Sequence, residues 1–292
     1  MRKLFVPLGA RLLGAVVFLS LVPLPARPDP FPVVPAGARV MAMGGAAPAL
    51  WNSPSAAYYN PAGLAWQVVS GGMGLQPTGW SRAPDAWWVH LYNRGTEYGF
   101  PLALALQGWR TPSAGGDRRT VLLGMPSVLS PSLVAPVAVH IKGAFERDPD
   151  GRWRGAVPID LAFLGRSRNG PVLGLVFRNM MFGRNSFATL QQRAEYGVAW
   201  SGGRWTFTLS SRAKRSQDVK KARDHFSAGI ELIPAGGVAL RGGYLKEERR
   251  RWVTAGIGLR SPRGAMEVAY AVVIERETRR ASHFLHYIFR TD

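Results

Sequence analysis

Histidine and serine residues are the first places to look for catalytic chemistry in this chain. Five histidines are scattered along it, at His90, His140, His225, His283 and His286. On a strand, the spacing of His283 and His286 places the two rings on opposite faces, and it is not the spacing of a helical metal-binding pair. The chain has no Gly-x-Ser-x-Gly turn, and it has no cysteine for thiolate metal sites or cysteine catalysis. The sequence therefore predicts a protein that is not an enzyme and that has no metal site or cofactor.

Positive charge is the second chemical feature of the chain. Lys and Arg total 37 against 18 Asp and Glu, which gives a net charge of +19. A basic excess of this size usually indicates a nucleic-acid partner. Here the basic residues concentrate in links between strands, where they could face lipopolysaccharide phosphates, a protein partner or only solvent. The candidate residues for lipopolysaccharide or partner contact are Arg212, Lys214, Arg215, Lys220, Lys221, Arg223, Lys246, Arg249, Arg250 and Arg251.

The N-terminus has the three parts of a secretory signal peptide. Arg2, Lys3 and Arg11 form a basic region, and residues 12–22 form an apolar stretch that is too short to span a bilayer. Proline residues then precede Ala26, a small residue suited to cleavage. We expect residues 1–26 to direct export, and an exported protein does not meet DNA or RNA, so we expect no nucleic-acid partner.

The body of the chain is made of short segments with alternating hydrophobicity. In one of them Trp205, Phe207 and Leu209 share a face, and Thr206 and Thr208 share the other. Such a period of two predicts β-strands with one apolar face. That face would be the core of a soluble sandwich, or it would face lipid in a membrane barrel. The alternation alone does not separate these two folds.

The links between strands favour the membrane barrel. Short links at 201–204, 234–237 and 261–264 alternate with longer polar links at 213–225, 246–251 and 275–281. Outer-membrane barrels have this habit, with short periplasmic turns and longer outer loops. We therefore predict an all-β fold, a transmembrane antiparallel barrel over residues 67–292 in the bacterial outer membrane. We count fourteen candidate strands, at 67–76, 86–93, 97–109, 120–129, 133–145, 155–165, 171–180, 194–201, 204–212, 226–233, 238–245, 252–260, 265–274 and 282–290. The alternating end of the last strand, Leu285, Tyr287 and Phe289, resembles the aromatic signal that the barrel-assembly machinery reads.

Residues 34–66 do not have the pattern of a strand, because they are mostly small residues with few charges. Gly44-Gly45 permits a sharp turn or close backbone packing. Ser53-Pro54 predicts the start of a short helix, and Asn60-Pro61 predicts its end. We expect a compact plug rather than a flexible leader, with Arg39 and Asn60 as polar anchors to the barrel wall.

This stretch resembles the N-terminal hatch of the FadL-type and PorV-type outer-membrane proteins. The matching residues are Gly37, Ala38, Arg39, Met43, Gly44, Gly45, Tyr58, Asn60, Pro61, Ala62, Gly63 and Leu64. The resemblance implies a fourteen-stranded barrel with residues 27–66 as a hatch inside its lumen. It also implies one of two functions. FadL-type relatives suggest passive transport of small hydrophobic compounds, and PorV-type relatives suggest a secretion-associated barrel that binds a secreted protein or other protein partners. The transport reading needs an opening through the lumen or the wall, for which Pro126, Pro136 and Pro158 are candidate irregularities.

Overall fold

The fold is described from a computed structural model, which covers residues 36–77, 85–95, 102–113, 116–132, 134–167, 170–180, 192–214, 225–234, 236–262 and 264–291. The predicted signal peptide, 1–26, lies outside the described residues. So do residues 27–35 of the predicted hatch and four of the predicted basic contact residues, Arg215, Lys220, Lys221 and Arg223.

Within the described residues, fifteen strand segments form one antiparallel sheet that closes on itself. Their bounds are β1 Val69–Gln76, β2 Ala86–Asn93, β3 Leu102–Ser113, β4 Gly116–Ser130, β5 Val137–Arg147, β6 Trp153–Ala156, β7 Ile159–Arg166, β8 Val172–Met180, β9 Arg193–Gly202, β10 Trp205–Lys214, β11 His225–Leu232, β12 Val238–Glu247, β13 Arg250–Arg260, β14 Met266–Glu275 and β15 Ala281–Thr291. Apart from β6, which pairs with β5 alone, each strand pairs with the next along the barrel, and β5 pairs with both β6 and β7. β1 also pairs with β15, which closes the barrel.

The barrel has fourteen strands around its circumference, as predicted, because β6 and β7 lie end to end along β5. Pro158 separates them, and a proline has no N–H to give to the ladder. The next strand carries an irregularity at the same level. The register between β7 and β8 shifts between Ile159 and Leu161, and Asn179 adopts a left-handed backbone with φ 54°. Of the other two prolines, Pro126 lies within β4 and Pro136 directly precedes β5.

Thirteen of the fourteen predicted strand ranges overlap one observed strand each, and the range 155–165 covers parts of both β6 and β7. The strand ends differ from the prediction mainly at two hairpins. The β3–β4 hairpin is longer than predicted, since Ser113 pairs with Gly116 although the residues there are polar. The predicted longer link at 246–251 is wrong. Glu247 pairs with Arg250, so only Glu248 and Arg249 form the turn, and Glu248 takes the positive φ of 57° that a tight hairpin needs. In both places the backbone remains paired at polar residues that the sequence pattern assigns to links.

The apolar face of the strands points outward. In β10, Trp205, Phe207 and Leu209 are 44%, 45% and 48% exposed, whereas Thr206 and Thr208 are buried. The same alternation recurs around the barrel, with large apolar side chains outside and polar ones inside. A water-soluble protein rarely exposes so much contiguous apolar surface, so the barrel alternative is confirmed over the sandwich. None of the helices in the described ranges has the length and apolar character of a membrane-spanning helix.

Residues 36–66 form short helices that are almost entirely buried. They comprise α1 Ala38–Ala42, α2 Ala56–Tyr59 and a 3-10 helix over Pro61–Trp66. The predicted N-cap at Ser53 is wrong, because α2 begins after Ser55 and has no side-chain cap. The predicted helix end at Asn60 is confirmed. Most of the buried apolar cluster of the protein consists of residues from this segment and of inward-facing barrel residues.

Candidate functional site

The interior of the barrel is the candidate site, and its first feature is direct backbone contact between the N-terminal segment and the wall. Gly44 has φ +68°, and a Cβ on it would lie 2.5 Å from the Tyr244 carbonyl oxygen. Across the contact, a Cβ on Gly243 would lie 2.3 Å from the Gly44 nitrogen, and one on Gly229 would lie 2.5 Å from the Met43 carbonyl oxygen. Only glycine fits at these positions, so three glycines bring the segment against β11 and β12.

Further wall glycines extend this contact to other strands. A Cβ on Gly174 of β8 would lie 2.0 Å from the Pro48 carbonyl oxygen, and one on Gly256 of β13 would lie 2.5 Å from Ala42 Cβ. Hydroxyls supply polar contacts nearby, since Thr254 Oγ1 donates to the Ala42 carbonyl oxygen at 2.7 Å. The segment therefore contacts strands on well-separated parts of the barrel circumference, all through inward-facing residues.

Arg39 provides an ion pair between the segment and the wall. Its Nε and Nη2 donate to the two carboxylate oxygens of Glu231 on β11, at 2.9 and 2.7 Å. Its Nη1 donates to Oδ1 and the carbonyl oxygen of Asn52, at 2.8 and 3.1 Å. Both ionic side chains are almost fully buried. A bidentate arginine–carboxylate pair fixes orientation as well as distance.

Glu231 belongs to a larger group of charges, which we call the Glu231 cluster: Arg39, Glu231, Arg241, Arg260 and Glu267. Arg241 Nε donates to Glu231 at 2.7 Å, and Arg241 also contacts Glu267. Arg260 lies 2.9 Å from Glu267 and 3.4 Å from Glu231. Buried charges are tolerated only when they are paired. Three arginines against two glutamates leave an excess positive charge, so the loss of one arginine would balance the cluster and the loss of one glutamate would increase the excess.

Asn60 fixes the opposite part of the segment. Its Nδ2 donates to the Pro48 carbonyl oxygen at 2.6 Å and to the Phe163 carbonyl oxygen of β7 at 3.0 Å. Its Oδ1 accepts the Ala62 N–H at 3.1 Å, which caps the 3-10 helix. Both side chains predicted as anchors, Arg39 and Asn60, thus make hydrogen bonds to barrel strands.

Tyrosines and an arginine complete the polar contacts of α2. The Tyr58 hydroxyl donates toward the Leu106 carbonyl oxygen at 2.6 Å and is close to the Val89 carbonyl oxygen. Burial raises the pKa of Tyr58 well above its usual range, so the hydroxyl stays protonated as a donor. Arg178 on β8 donates to the carbonyl oxygens of Tyr58, at 2.6 Å, and of Tyr59. These carbonyls lie at the C-terminal end of α2, where a cation is favourable.

Arg178 also belongs to a second buried group, the Asp160 cluster: His140, Lys142, Asp160, Arg178, Asn179 and Glu195. Lys142 Nζ lies 2.6 Å from Asp160, and Arg178 Nη1 lies 3.1 Å from it. The Asn179 N–H donates to Asp160 at 2.8 Å, which holds the left-handed residue of the bulge. The cluster therefore joins the wall irregularity near Pro158 to α2.

Aromatic rings, rather than ions, line the side of the lumen formed by β15, β1 and β2. Trp88 lies over Gly74, whose Cβ would be 2.3 Å from the indole ring. The His90 and His286 rings lie 5.8 Å apart beside Gly72, and Trp88 and His286 are 5.5 Å apart. All three rings are buried, and both imidazoles have nitrogens without a hydrogen-bond partner among the described residues.

The predicted basic contact residues occupy several different environments. Arg212 was expected in an outer loop, and this is wrong. It lies within β10, is buried, and pairs with Glu195 at 3.5 Å and Glu247 at 3.6 Å, because its position on the strand points inward. Lys214 ends the same strand. The remaining predicted residues described lie at the same end of the barrel, Lys246 on β12, Arg249 in the turn, and Arg250 and Arg251 at the start of β13.

Sequence reasoning missed the interior acidic residues as partners. In the sequence, Asp160, Glu231 and Glu267 each stand opposite the apolar face of an alternating segment, and that single charge on a polar face is the available signal. Their partners were not predictable, because Arg39 and Glu231 are 192 residues apart in the chain. Within the described ranges, no group of three or more acidic or histidine side chains is placed to hold a metal ion.

The comparisons with known proteins identify the fold class. No family model matches the chain, and no curated protein matches it. Among solved structures, the CymD monoaromatic hydrocarbon channel is similar with a TM-score of 0.68 and 12% identity, over 90% of this chain and 99% of that chain. The Pseudomonas putida toluene transporter TodX is similar with a TM-score of 0.63 and 12% identity, over 89% and 99%. A Pseudomonas aeruginosa FadL homologue has a TM-score of 0.54 and 9% identity, over 91% and 99%. The protein therefore has the barrel fold of the FadL-type hydrocarbon transporters.

Proposed function

We propose that this protein is an outer-membrane barrel for the passive transport of small hydrophobic compounds, with residues 36–66 as a displaceable plug. The observation that carries the proposal is the composition of that segment. Arg39 is its one charged residue, and alanine is the commonest of its buried apolar residues. The ion pair and hydrogen bonds of the segment can be exchanged for bonds to water at a moderate cost. Its fully buried Val40, Met41, Met43 and Leu64 add an apolar contribution to the cost of displacement. Two structures with a similar fold, a monoaromatic hydrocarbon channel and a toluene transporter, suggest the substrate class.

The ring-lined side of the lumen is the route we propose past the plug. The ion pair and the Arg178 contacts hold the segment to β11 and β8, and Asn60 holds it to β7. The Tyr58 hydroxyl adds hydrogen bonding to the backbone of β3 and β2. Toward β15, β1 and β2 the segment faces Trp88, His90 and His286, and rings turn about one or two torsions without breaking an ion pair. Aromatic faces also suit an apolar aromatic solute.

Uptake measurements test the transport proposal. Cells that lack their own FadL-type transporter would express this protein, and uptake of radiolabelled toluene would be compared with uptake of benzoate. We expect toluene uptake above that of cells with an empty vector, and no such rise for benzoate, because the proposed route is lined by the rings of Trp88, His90 and His286 rather than by the arginines of the buried clusters. Equal uptake with and without the protein would refute the proposal.

A crosslink tests whether the plug must move. The chain contains no cysteine, so Ala42→Cys and Thr254→Cys introduce the only thiols. Thr254 donates its hydroxyl to the Ala42 carbonyl, so a short methanethiosulfonate linker can join the two positions. We expect toluene uptake to fall when the linker is in place and to return after reduction. Each single variant is the control, and unchanged uptake in the linked protein would show that the segment stays in place during transport.

Removal of the segment provides the complementary test. A variant lacking residues 34–65 should still insert and should conduct more ions in planar bilayers than the full-length protein. Equal conductance would show that the segment is no plug. Purification in mild detergent separates transport from the secretion-associated alternative, since a bound apolar ligand supports transport and a stoichiometric protein partner on an empty lumen refutes it.

Domain organisation and orientation are part of the same proposal. We propose that residues 1–26 direct export, that 27–66 form the hatch, and that the barrel assembles through the outer-membrane assembly machinery with both termini in the periplasm. Single cysteines at Arg249 and Gly236 test the orientation, because these turns lie at opposite ends of the barrel. On whole cells, an impermeant maleimide should label position 249 and should miss 236. The reverse pattern would invert the orientation.

A further inference from the structure

Two arginines face each other on the outer surface of the barrel, and neither has a counter-ion among the residues that the structure describes. Arg119 on β4 and Arg147 on β5 are directly opposite in the antiparallel register, and both are exposed. Side chains so placed have Cβ atoms about 5 Å apart, and like charges opposite each other are unfavourable. No acidic side chain of the described residues lies within ion-pair distance of either one.

The acidic residues nearby are already paired with other arginines. Asp117 is on the same outer face of β4, and it lies 2.9 Å from Arg110, which stands opposite Arg119 on β3. Glu146 and Asp148 are buried on the inner side of the same end of the barrel. Arg118 lies 3.6 Å from Glu146, and Arg154 lies 2.8 Å from Asp148. The strand alternation that points Arg118 inward points its neighbour outward. The outer pair therefore needs an anion from outside the chain to balance it.

The pair lies at the upper edge of an apolar surface. Below Arg119 on the same face of β4, Leu123, Met125 and Leu129 are 44%, 58% and 61% exposed. From position 119 to Leu129 the strand rises about 33 Å, which at the usual barrel tilt is about 25 Å along the membrane normal. This is the height of the apolar band of an outer-membrane barrel, so the two guanidinium groups fall at the level of the lipid headgroups.

Aromatic side chains beside the pair add a surface for acyl chains. Phe145 precedes Arg147 by two residues on the same face of β5, and it is 49% exposed. Trp153 pairs with Arg147 across β5 and β6, and it is 61% exposed. Exposed aromatic residues at this level are typical of the membrane interface. An occupant of this surface has phosphate at one end and hydrocarbon at the other.

We propose that Arg119 and Arg147 together bind a phosphate of lipid A, the phosphorylated and acylated part of lipopolysaccharide, with its acyl chains on Leu123, Met125 and Phe145. Two guanidinium forks converging on one phosphate give paired, charge-assisted hydrogen bonds. The choice of an outer-leaflet lipid rests on the orientation given under the proposed function. The site is on the outer wall and is separate from the interior through which transport would occur.

Binding of purified diphosphoryl lipid A to the full-length protein in mild detergent, followed by native mass spectrometry, tests the proposal. We expect the double variant Arg119→Gln with Arg147→Gln to bind at least about tenfold more weakly than the wild type. The double lysine variant, which keeps both charges without the fork, should be intermediate. Arg94→Gln with Arg204→Gln is the matched control, because it removes two exposed charges at the opposite end of the barrel and should leave binding unchanged.

Lipid A from which the phosphates have been removed should bind the wild type and the double glutamine variant equally weakly. Equal binding of diphosphoryl lipid A to wild type and variant overturns the proposal, as does an equal loss in the Arg94 and Arg204 control. Tighter binding of phosphatidylglycerol than of lipid A, dependent on the same two arginines, overturns the choice of lipopolysaccharide. Because lipid binding is measured without transport, failure of toluene uptake would refute the proposed function and leave this site standing.

Discussion

Substitution of Arg39 by alanine should loosen the plug while leaving the barrel intact. Arg39 joins the segment to the wall through two hydrogen bonds to Glu231 at 2.9 and 2.7 Å. When it is removed, Arg241 and Arg260 still contact Glu231, and the cluster keeps two arginines against two glutamates. The wall therefore loses no charge balance, and the cost falls on the position of the segment.

The size of that cost follows from the environment of the pair. Breaking a buried ion pair costs about 3–5 kcal/mol, and the remaining partners of Glu231 favour the lower figure. A loss of about 3 kcal/mol raises the fraction of displaced plug by about 100-fold. Single-channel recordings in planar bilayers measure that fraction as the share of time that the channel spends in a large-conductance state. Arg204→Ala, an exposed arginine in the β9–β10 turn, is the control and should behave like the wild type.

Substitution of Glu231 by glutamine should weaken the barrel wall as well as the attachment of the segment. It leaves Arg39, Arg241 and Arg260 with Glu267 as the one carboxylate of the cluster, so the wall itself becomes strained by unpaired charge. We expect a lower unfolding temperature, measured by the shift between unheated and boiled forms on a gel, together with more openings.

If Arg39→Ala opens no more often than the wild type, the ion pair does not hold the plug and the reasoning is refuted.

Two further variants test the contacts around the segment. Gly243→Val should displace the segment and lower the free energy of unfolding by about 1–3 kcal/mol, since its Cβ would lie 2.3 Å from the Gly44 nitrogen. Gly242→Val is the control, because the nearest atom to its Cβ would be 3.8 Å away, and it should leave the gel-shift temperature and the conductance unchanged. Equal effects of the two variants would contradict the close contact. Asp160→Asn should destabilise the barrel by about 3–5 kcal/mol in urea unfolding, because it leaves buried Lys142 and Arg178 with too little negative charge. Asp150→Asn, which breaks only an exposed pair, should cost under about 1 kcal/mol, and a similar loss in both variants would argue against the buried cluster.

The strands were predictable because barrel strands carry their own pattern. In β10 and β14 the alternation of large apolar and polar residues is visible in the sequence and matches the outward and inward faces. The alternation no longer identifies strands where the outer face of the barrel is polar. Above the apolar band the outer face of β3, β4 and β12 becomes polar, so residues such as Arg119 and Lys246 were assigned to loops although their backbones remain paired.

The interior was predictable only in part, because its contacts join distant positions of the chain. Arg39 and Asn60 were expected to contact the wall, since they are polar residues in a segment of small ones. Their partners Glu231 and Phe163 lie 192 and 103 residues away, and no local pattern specifies such pairs. The role of the wall glycines was not predictable either, because a glycine in a strand can mark a bulge, a bend or the close approach of another backbone. Only the contact between Gly44 and Gly243 shows that close approach is the reason here.

The contacts of the segment divide into those that water can replace and those that it cannot. A barrel of fourteen strands is too wide for its own side chains to fill, whereas eight strands can be filled in that way. Ala42, Gly44 and Pro48 lie in close contact with Gly256, Gly243 and Gly174 of the wall. Val40, Met41, Met43 and Leu64 of the segment are fully buried, so displacement of the segment would expose apolar surface. Under the proposed function, the Arg39 pair and the hydrogen bonds of Asn60 set the orientation of the segment and can be exchanged for bonds to water. The buried apolar residues then add the part of the displacement cost that water does not offset.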